Sequence, residues 1–296
     1  MAELERYVAG VPCWVDHSSP DPNAAVEFYG ELFGWDFEDA MPPGLPSKYF
    51  VARIRDQDVA AVGSQPEGAP PRAAWNTYVW VDSADDSARK VEAAGGRALI
   101  APFDVTDAGR MAVFSDPEGA VFCVWQAGKH RGAQVVNEHG SLNFNTLNTR
   151  DVAGAKAFYG SVFGWDVLEL PGFQAWSLRA YGDRLEQRDP GLRERMGTVG
   201  APSGFENVVA ALVPLGAGQP DIPANWSVTF AVDDADSVAK KATALGGQVV
   251  VPPVDAPWVR MTVISDPQGA TFIASKFVPE NSNLTGPSAP LGETQA

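Results

Sequence analysis

The feature that most constrains this chain is a repeat inside it. Phe28-Tyr29-Gly30-Glu31-Leu32-Phe33-Gly34-Trp35-Asp36 returns as Phe158-Tyr159-Gly160-Ser161-Val162-Phe163-Gly164-Trp165-Asp166. Trp75 to Asp82 (WNTYVWVD) returns as Trp226 to Asp233 (WSVTFAVD), and Ser115-Asp116-Pro117-Glu118-Gly119 returns as Ser265-Asp266-Pro267-Gln268-Gly269. Three matches in the same order mean a duplicated domain, because each repeat is one structural unit written twice. A total of 296 residues suits two domains of ordinary size, each long enough to bury a core of its own.

Each matched segment has a local physical meaning. Asp21 caps a helix and Pro22 suits its first turn. Ala25, Phe28, Tyr29, Leu32 and Phe33 then recur at helical spacing, and Gly34 stops the helix. Asp151, Ala155, Phe158, Tyr159, Val162, Phe163 and Gly164 repeat the design. A second helix is expected over 85–94 and again over 236–245, each ended by a double glycine. Strands are expected over 13–17, 49–54, 59–63, 77–81, 98–101, 110–114 and 121–125. In the second half they fall over 142–147, 175–178, 208–213, 228–232, 248–251, 261–264 and 271–275. Asp-Pro-x-Gly between the last two strands of each half is turn chemistry.

The halves differ in length. Trp35 and Trp75 bracket a shorter stretch than Trp165 and Trp226, so the second half carries an insertion around 182–207, with a short helix expected over 190–196. Such an excursion forms a lid, an interface or a solvated loop. Residues 127–138 read as a linker, and 280–296, without an aromatic residue, as a flexible tail.

Composition narrows the function classes. A formal charge of -15 argues against nucleic acid and anionic membrane as partners, since both attract basic surfaces. No run of apolar residues is long enough for a membrane helix. The first residues lack the apolar core of a signal peptide, and two cysteines make no disulfide framework, so a cytoplasmic, reducing location is expected.

A strand, a capping Asp followed by Phe-Tyr, a Phe-Gly-Trp stop and Asp-Pro-x-Gly before a last strand together resemble the glyoxalase, bleomycin-resistance and extradiol-dioxygenase superfamily, whose common name is vicinal oxygen chelate. The likeness is to its two-domain actinobacterial members and covers residues 10–277. It implies an α+β fold of two tandem domains over 8–127 and 139–279. Each would be a pair of βαβββ modules forming a curved, cup-shaped sheet with the ligand in the cup.

The resemblance also implies where a metal would be held in such cups: Trp14, Asn76 and Cys123 in the first, Phe144, Ser227 and Ile273 in the second. Trp, Phe and Ile cannot ligate, and a divalent ion needs several converging imidazoles or carboxylates, so no metal and no cofactor are expected. Period-two alternation points Trp14, Asp16, Asn76, Tyr78, Trp80, Cys123 and Trp125 into the first cup. It points Phe144, Thr146, Ser227, Thr229, Ile273 and Ser275 into the second. The same alternation turns His17 away from the cup, toward solvent. Counting rings favours the first cup as the ligand site, unless its aromatics fill it. Trp75, Trp226, Phe28 and Phe158 read as core.

Two functional classes stay open. One is metal-independent binding of a hydrophobic, aromatic small molecule, in sequestration or as an accessory in natural-product metabolism, by a monomer or homodimer. The other is an enzyme of the same superfamily, an isomerase, lyase or dioxygenase-like catalyst, metal-dependent or using Asp16 as acid or base. A scaffold with both cups filled is a third reading.

Overall fold

The computed structural model describes residues 6–69, 71–170, 173–216, 218 and 222–284. The first repeat runs β1 (Pro12–Ser19), α1 (Pro22–Phe33), β2 (Asp36–Asp39), β3 (Tyr49–Ile54), β4 (Gln57–Ser64), β5 (Ala74–Trp80), α2 (Ala84–Ala93), β6 (Arg97–Val105), β7 (Gly109–Ser115) and β8 (Val121–Ala127). The second runs β9 (Leu142–Thr149), α3 (Val152–Phe163), β10 (Trp165–Leu170), β11 (Phe173–Leu178), α4 (Tyr181–Arg188), α5 (Leu192–Thr198), β12 (Val208–Pro214), β13 (Asn225–Ala231), α6 (Ala235–Ala244), β14 (Gln248–Ala256), β15 (Val259–Ser265) and β16 (Thr271–Phe277). Each repeat is two βαβββ modules in one open sheet, ordered β2-β3-β4-β1-β5-β8-β7-β6 and β10-β11-β12-β9-β13-β16-β15-β14. The central pairs, β1 with β5 and β9 with β13, are antiparallel. No helix among the described residues is long and apolar enough to cross a membrane.

The helices start and stop where the side chains direct. Asp21 accepts from the Ala24 amide at 3.2 Å and Asp151 from the Gly154 amide at 2.8 Å. Gly34 and Gly164 then turn left-handed at φ 73° and 72°, a conformation that costs glycine nothing.

The backs of the two sheets meet at their central strands, where the Thr77 hydroxyl donates to Asn145 Oδ1 at 2.8 Å, and the helices pack around that contact in cores shared by both halves. α1 buries Phe28, Tyr29, Leu32 and Phe33 against Val228, Phe230, Ile264 and Phe272 of the second repeat. α3 buries Phe158, Tyr159 and Val162 against Val91, Phe114, Phe122 and Val124 of the first. A hydrogen-bond relay crosses each core. Trp75 Nε1 donates to the Tyr29 hydroxyl at 3.0 Å, and that hydroxyl donates to Asp266 at 2.9 Å. Trp226 Nε1 donates to the Tyr159 hydroxyl at 2.9 Å, which donates to Asp116 at 3.0 Å. The Phe-Tyr motif of one half therefore meets the Asp-Pro-x-Gly motif of the other. The second oxygen of each Asp holds its own turn, as where Asp116 accepts from the amides of Glu118, Gly119 and Ala120.

Several expectations are corrected. His17 is not solvated: it is 0% exposed and lies 2.7 Å from Asp266 Oδ2. The face of β1 opposite the cup is covered there by Tyr29 of α1, Trp75 and Asp266, so both faces of this central strand are dry. β2 and β10 are additional strands at the sheet edges. The insertion holds two helices, α4 and α5, and a 3-10 turn at Phe205–Asn207. The stretch after β8, read as a linker, is packed against the first repeat: the Ala133 amide donates to the Cys13 carbonyl at 2.8 Å, and Ala133 and Val135 are buried. Of the expected tail, Pro279–Asn283 forms a 3-10 turn tied down by Asn281 to the Val259 carbonyl, and 285–296 lie outside the described residues.

Candidate functional site

The two cups share a backbone and differ in what fills them. Strand pairing puts Trp14 opposite Tyr78, Tyr78 beside Cys123 and Trp80 beside Trp125. The equivalent pairs in the second repeat are Phe144 with Thr229, Thr229 with Ile273 and Ala231 with Ser275. Asp16 pairs with Ala61 and Asn76; its counterpart Thr146 pairs with Ala211 and Ser227. At equivalent points, then, Trp14 becomes Phe144, Asp16 becomes Thr146, Tyr78 becomes Thr229, Trp80 becomes Ala231 and Trp125 becomes Ser275.

The first cup is packed with its own side chains. Trp14, Tyr78, Trp80, Cys123 and Trp125 are buried and form one apolar cluster with Tyr7, Val11 and Ala133. The stretch after β8 plugs its mouth: His130 sits edge-on to Trp14 at 4.4 Å between ring centres and to Trp125 at 5.7 Å. Tyr7 stacks on Trp80, and the Arg131 guanidinium lies 5.3 Å from that ring. Gly109 makes this packing possible, since a Cβ there would meet Trp125 Cζ2 at 2.6 Å.

Asp16 is 6% exposed within this cluster. It accepts from Asn76 Nδ2 at 2.8 Å, Tyr78 at 2.7 Å and Tyr49 at 3.2 Å, and Trp14 Nε1 donates to the Tyr49 hydroxyl at 3.1 Å. Burial pushes its carboxyl above the usual range, and the three donors pull back against that without cancelling it. Burial likewise pushes the Cys123 thiol up, with the Asp16 charge adding to it, which disfavours the nucleophilic thiolate.

The second cup is open. A cavity of about 840 Å³ lies over its floor, lined there by Phe144, Thr146, Thr229, Ile273 and Ser275. The insertion walls it with Tyr181, Leu185, Met196 and Phe205, whose ring lies 6.4 Å from that of Phe144. Trp258, held at φ 70° in the β14–β15 turn, reaches the cavity from the rim and stacks on Phe277. Arg6 and Tyr7, from the start of the chain, also reach it. None of Trp14, Asp16, Asn76, Tyr78, Trp80, Cys123 and Trp125 lines this cavity. The space is thus in the opposite cup from the one that counting rings favours. Of the residues expected in the second cup, Ser227 is not among the lining groups; its hydroxyl accepts from Asn148 Nδ2 at 3.2 Å.

Sequence reasoning missed Trp258, Tyr181, Leu185 and Phe205. Tyr181 and Leu185 carried a signal, being four residues apart on one helical face; Trp258 sits in a turn and carried none.

The donor sets do not fit a first-row metal. Among the described residues no group of three or more His, Cys, Asp or Glu side chains converges as such a site would. The carboxylate of the first cup is engaged by three donors, and the floor of the second offers hydroxyls and hydrocarbon.

Comparison with known proteins follows the same outline. A family model described as the glyoxalase/bleomycin resistance protein/dioxygenase superfamily matches residues 141–273, and one described as a glyoxalase-like domain matches 14–125. A putative glyoxylase, CFP32, of Mycobacterium tuberculosis is 39% identical over 95% of this chain and 100% of its own length. The anthracycline biosynthesis protein DnrV of Streptomyces peucetius is 34% identical over 91% of this chain and 94% of its own. Among solved structures, a Mn(II)-bound glyoxalase from Novosphingobium aromaticivorans gives a TM-score of 0.57 at 17% identity, covering 91% of this chain and 83% of that one. The 2,3-dioxygenase LapB from Pseudomonas sp. KL28 gives 0.58 at 13%, covering 91% and 93%. At such identities these two likenesses concern the fold alone.

Proposed function

This chain belongs to the glyoxalase/bleomycin resistance protein/dioxygenase superfamily, and from that premise we propose that it holds a hydrophobic, aromatic small molecule in its second cup without a metal. The observation that carries this reading is the cavity of about 840 Å³, within the size range of drug-sized ligand sites and lined mainly by apolar side chains, with hydroxyls and amides among them and charged groups such as Arg188, Glu206 and Lys276. The names of the Streptomyces relatives, anthracycline biosynthesis proteins, point the same way: the ligand is a polycyclic aromatic intermediate, and the role is to carry, shelter or present it. The first cup, filled and plugged, serves as structural ballast for the pair. The enzymatic reading through Asp16 is disfavoured, because Asp16 does not reach the cavity.

The test is titration of purified protein with an anthracycline aglycone, followed by tryptophan quenching and calorimetry, with elemental analysis of the same sample. Binding near one equivalent, in the micromolar range or tighter, with no stoichiometric transition metal is expected. One equivalent of Fe, Mn, Ni or Zn, or an absence of binding that also holds for other polycyclic aromatics, would overturn the reading.

A further inference from the structure

The floor of the second cup carries three hydroxyls that no other group among the described residues uses. Thr146 on β9, Thr229 on β13 and Ser275 on β16 are 7%, 6% and 7% exposed, and all three line the cavity. Among the described residues, their side chains make no hydrogen bond to another protein group. The first-repeat counterparts behave differently: Asp16 and Tyr78 bond to each other at 2.7 Å, and Trp125 Nε1 donates to the His130 carbonyl at 3.0 Å. Each residue is nine-tenths buried, and what its side chain presents is directed to the cavity, where a ligand's oxygens can take up its hydrogen bond.

The register arranges the three in a line. Thr146 stands opposite Ser227, Thr229 two residues further along β13, and Ser275 opposite Ala231, two residues further again. Each step crosses one strand and advances two residues, a diagonal spacing of roughly 7–8 Å. The small partners Ala211 and Ala231 leave the row uncovered. Phe144 and Ile273 flank it with apolar surface, and Trp258 and Phe205 face it from rim and insertion.

We propose that Thr146, Thr229 and Ser275 form a diagonal hydroxyl row that reads oxygen substituents spaced along a flat polycyclic ligand. This rests on the second cup being the ligand site and adds the class of ligand: a ring system with carbonyl or phenolic oxygens, recognised by neutral hydrogen bonds while the rings bury against Phe144 and Ile273. A bare aromatic hydrocarbon of the same outline leaves the row unbonded and desolvated, and binds more weakly. The discrimination resides in the floor hydroxyls and not in the charged side chains that also line the cavity, such as Arg188, Glu206 and Lys276.

The experiment compares a dihydroxyanthraquinone with anthracene, which share three fused rings and differ in oxygens. Both are titrated by tryptophan quenching into the full-length wild type, Thr146→Val, Thr229→Val and Ser275→Ala. These substitutions keep shape nearly unchanged and put no larger group into the core, and circular dichroism and the melting temperature confirm folding. Wild type is expected to prefer the quinone. Each variant should lose roughly three- to tenfold of quinone affinity, one hydrogen bond's worth, with anthracene affinity unchanged or improved. If both compounds bind wild type and the three variants keep the wild-type preference, the hydroxyl row is refuted while the cup survives as a site. If neither compound binds and Ser275→Trp changes nothing for an aglycone that does, the ligand lies elsewhere and both readings fall.

Discussion

Asp266 and Asp116 occupy equivalent places in the two inter-repeat relays, but only Asp266 has a histidine beside it. The residue matching His17 in the second repeat is Leu147, also buried. Asp266→Ala strips a partner from His17 at 2.7 Å and from the Tyr29 hydroxyl at 2.9 Å, and two turn amides, Gln268 and Ala270, lose their acceptor. Removing one member of a buried pair costs roughly 3–5 kcal/mol, and orphaning a buried hydroxyl about 1–3 more, with incomplete additivity. Asp116→Ala loses only the Tyr159 hydroxyl and turn amides, so about 2–3 kcal/mol is expected. The pH dependence separates them further. Burial raises the Asp266 carboxyl, but the His17 hydrogen bond and charge, with Tyr29 and the Ala270 amide, outweigh that and hold it below the usual range. Its stabilisation is therefore complete above an unfolded carboxyl value of about 4 and is lost as pH falls through the folded value. The deficit of Asp266→Ala should shrink in acid. Burial leaves Asp116 raised despite its hydrogen bonds, so its ionised form opposes folding at neutral pH. Protonation relieves that as pH falls through the raised value, and the deficit of Asp116→Ala should grow. Urea unfolding at about pH 7 and about pH 3, below the unfolded carboxyl value, read by tryptophan emission and circular dichroism, gives the four differences. Equal losses at neutral pH, or the same direction of change on acidification for both variants, would refute the argument.

Three further outcomes follow from the same structure. Expressing residues 1–138 without the second half should give a dimer or an aggregate and no folded monomer, because Phe28, Tyr29, Leu32 and Phe33 lose the sheet that covers them; sedimentation analysis distinguishes these. Trp80→Ala should destabilise by roughly 3–5 kcal/mol in urea while leaving ligand affinity within about twofold, since Trp80 packs the closed cup. Ser275→Trp, which places in the second cup the residue found in the first, should abolish ligand binding with little loss of melting temperature; calorimetry on the folded variant checks it.

How far the sequence alone carries is visible in particular residues. The helices were legible because Asp21, Pro22 and Gly34, with their copies, are local signals that act within one turn. The cups were legible as sets of inward residues because alternation needs only the strand. What alternation cannot tell is whether the outward face is wet, and His17 shows this: it is closed over by Tyr29 of α1, by Trp75 and by Asp266 in a turn of the other repeat. That the cavity lies over the second cup and not the first escaped sequence reasoning for a related reason. Trp14, Tyr78, Trp80 and Trp125 measure how much side chain enters the first cup, whereas a ligand needs the room left over. Thr146, Thr229, Ala231 and Ser275 were the better signal, small groups at the points where the other cup has large ones. The insertion that walls the open cup has no counterpart in the first repeat, and Trp258 at its rim sits in a turn, where no periodicity marks it.

The architecture also explains how two copies of one design can diverge so far in front without losing the fold. The backs of the sheets carry the shared cores and both Trp-Tyr-Asp relays, and the residues there are nearly the same in the two halves: Trp75 and Trp226, Tyr29 and Tyr159, Asp266 and Asp116. The cups face away from that seam. A side chain exchanged on a cup face changes the volume of one cup and leaves the packing of the shared cores untouched. Filling the first cup with indole and phenol groups adds buried apolar surface to a molecule that must also keep an empty cavity in the second, where every lining side chain forgoes contacts it would otherwise make. The closed cup thus offsets the cost of the open one.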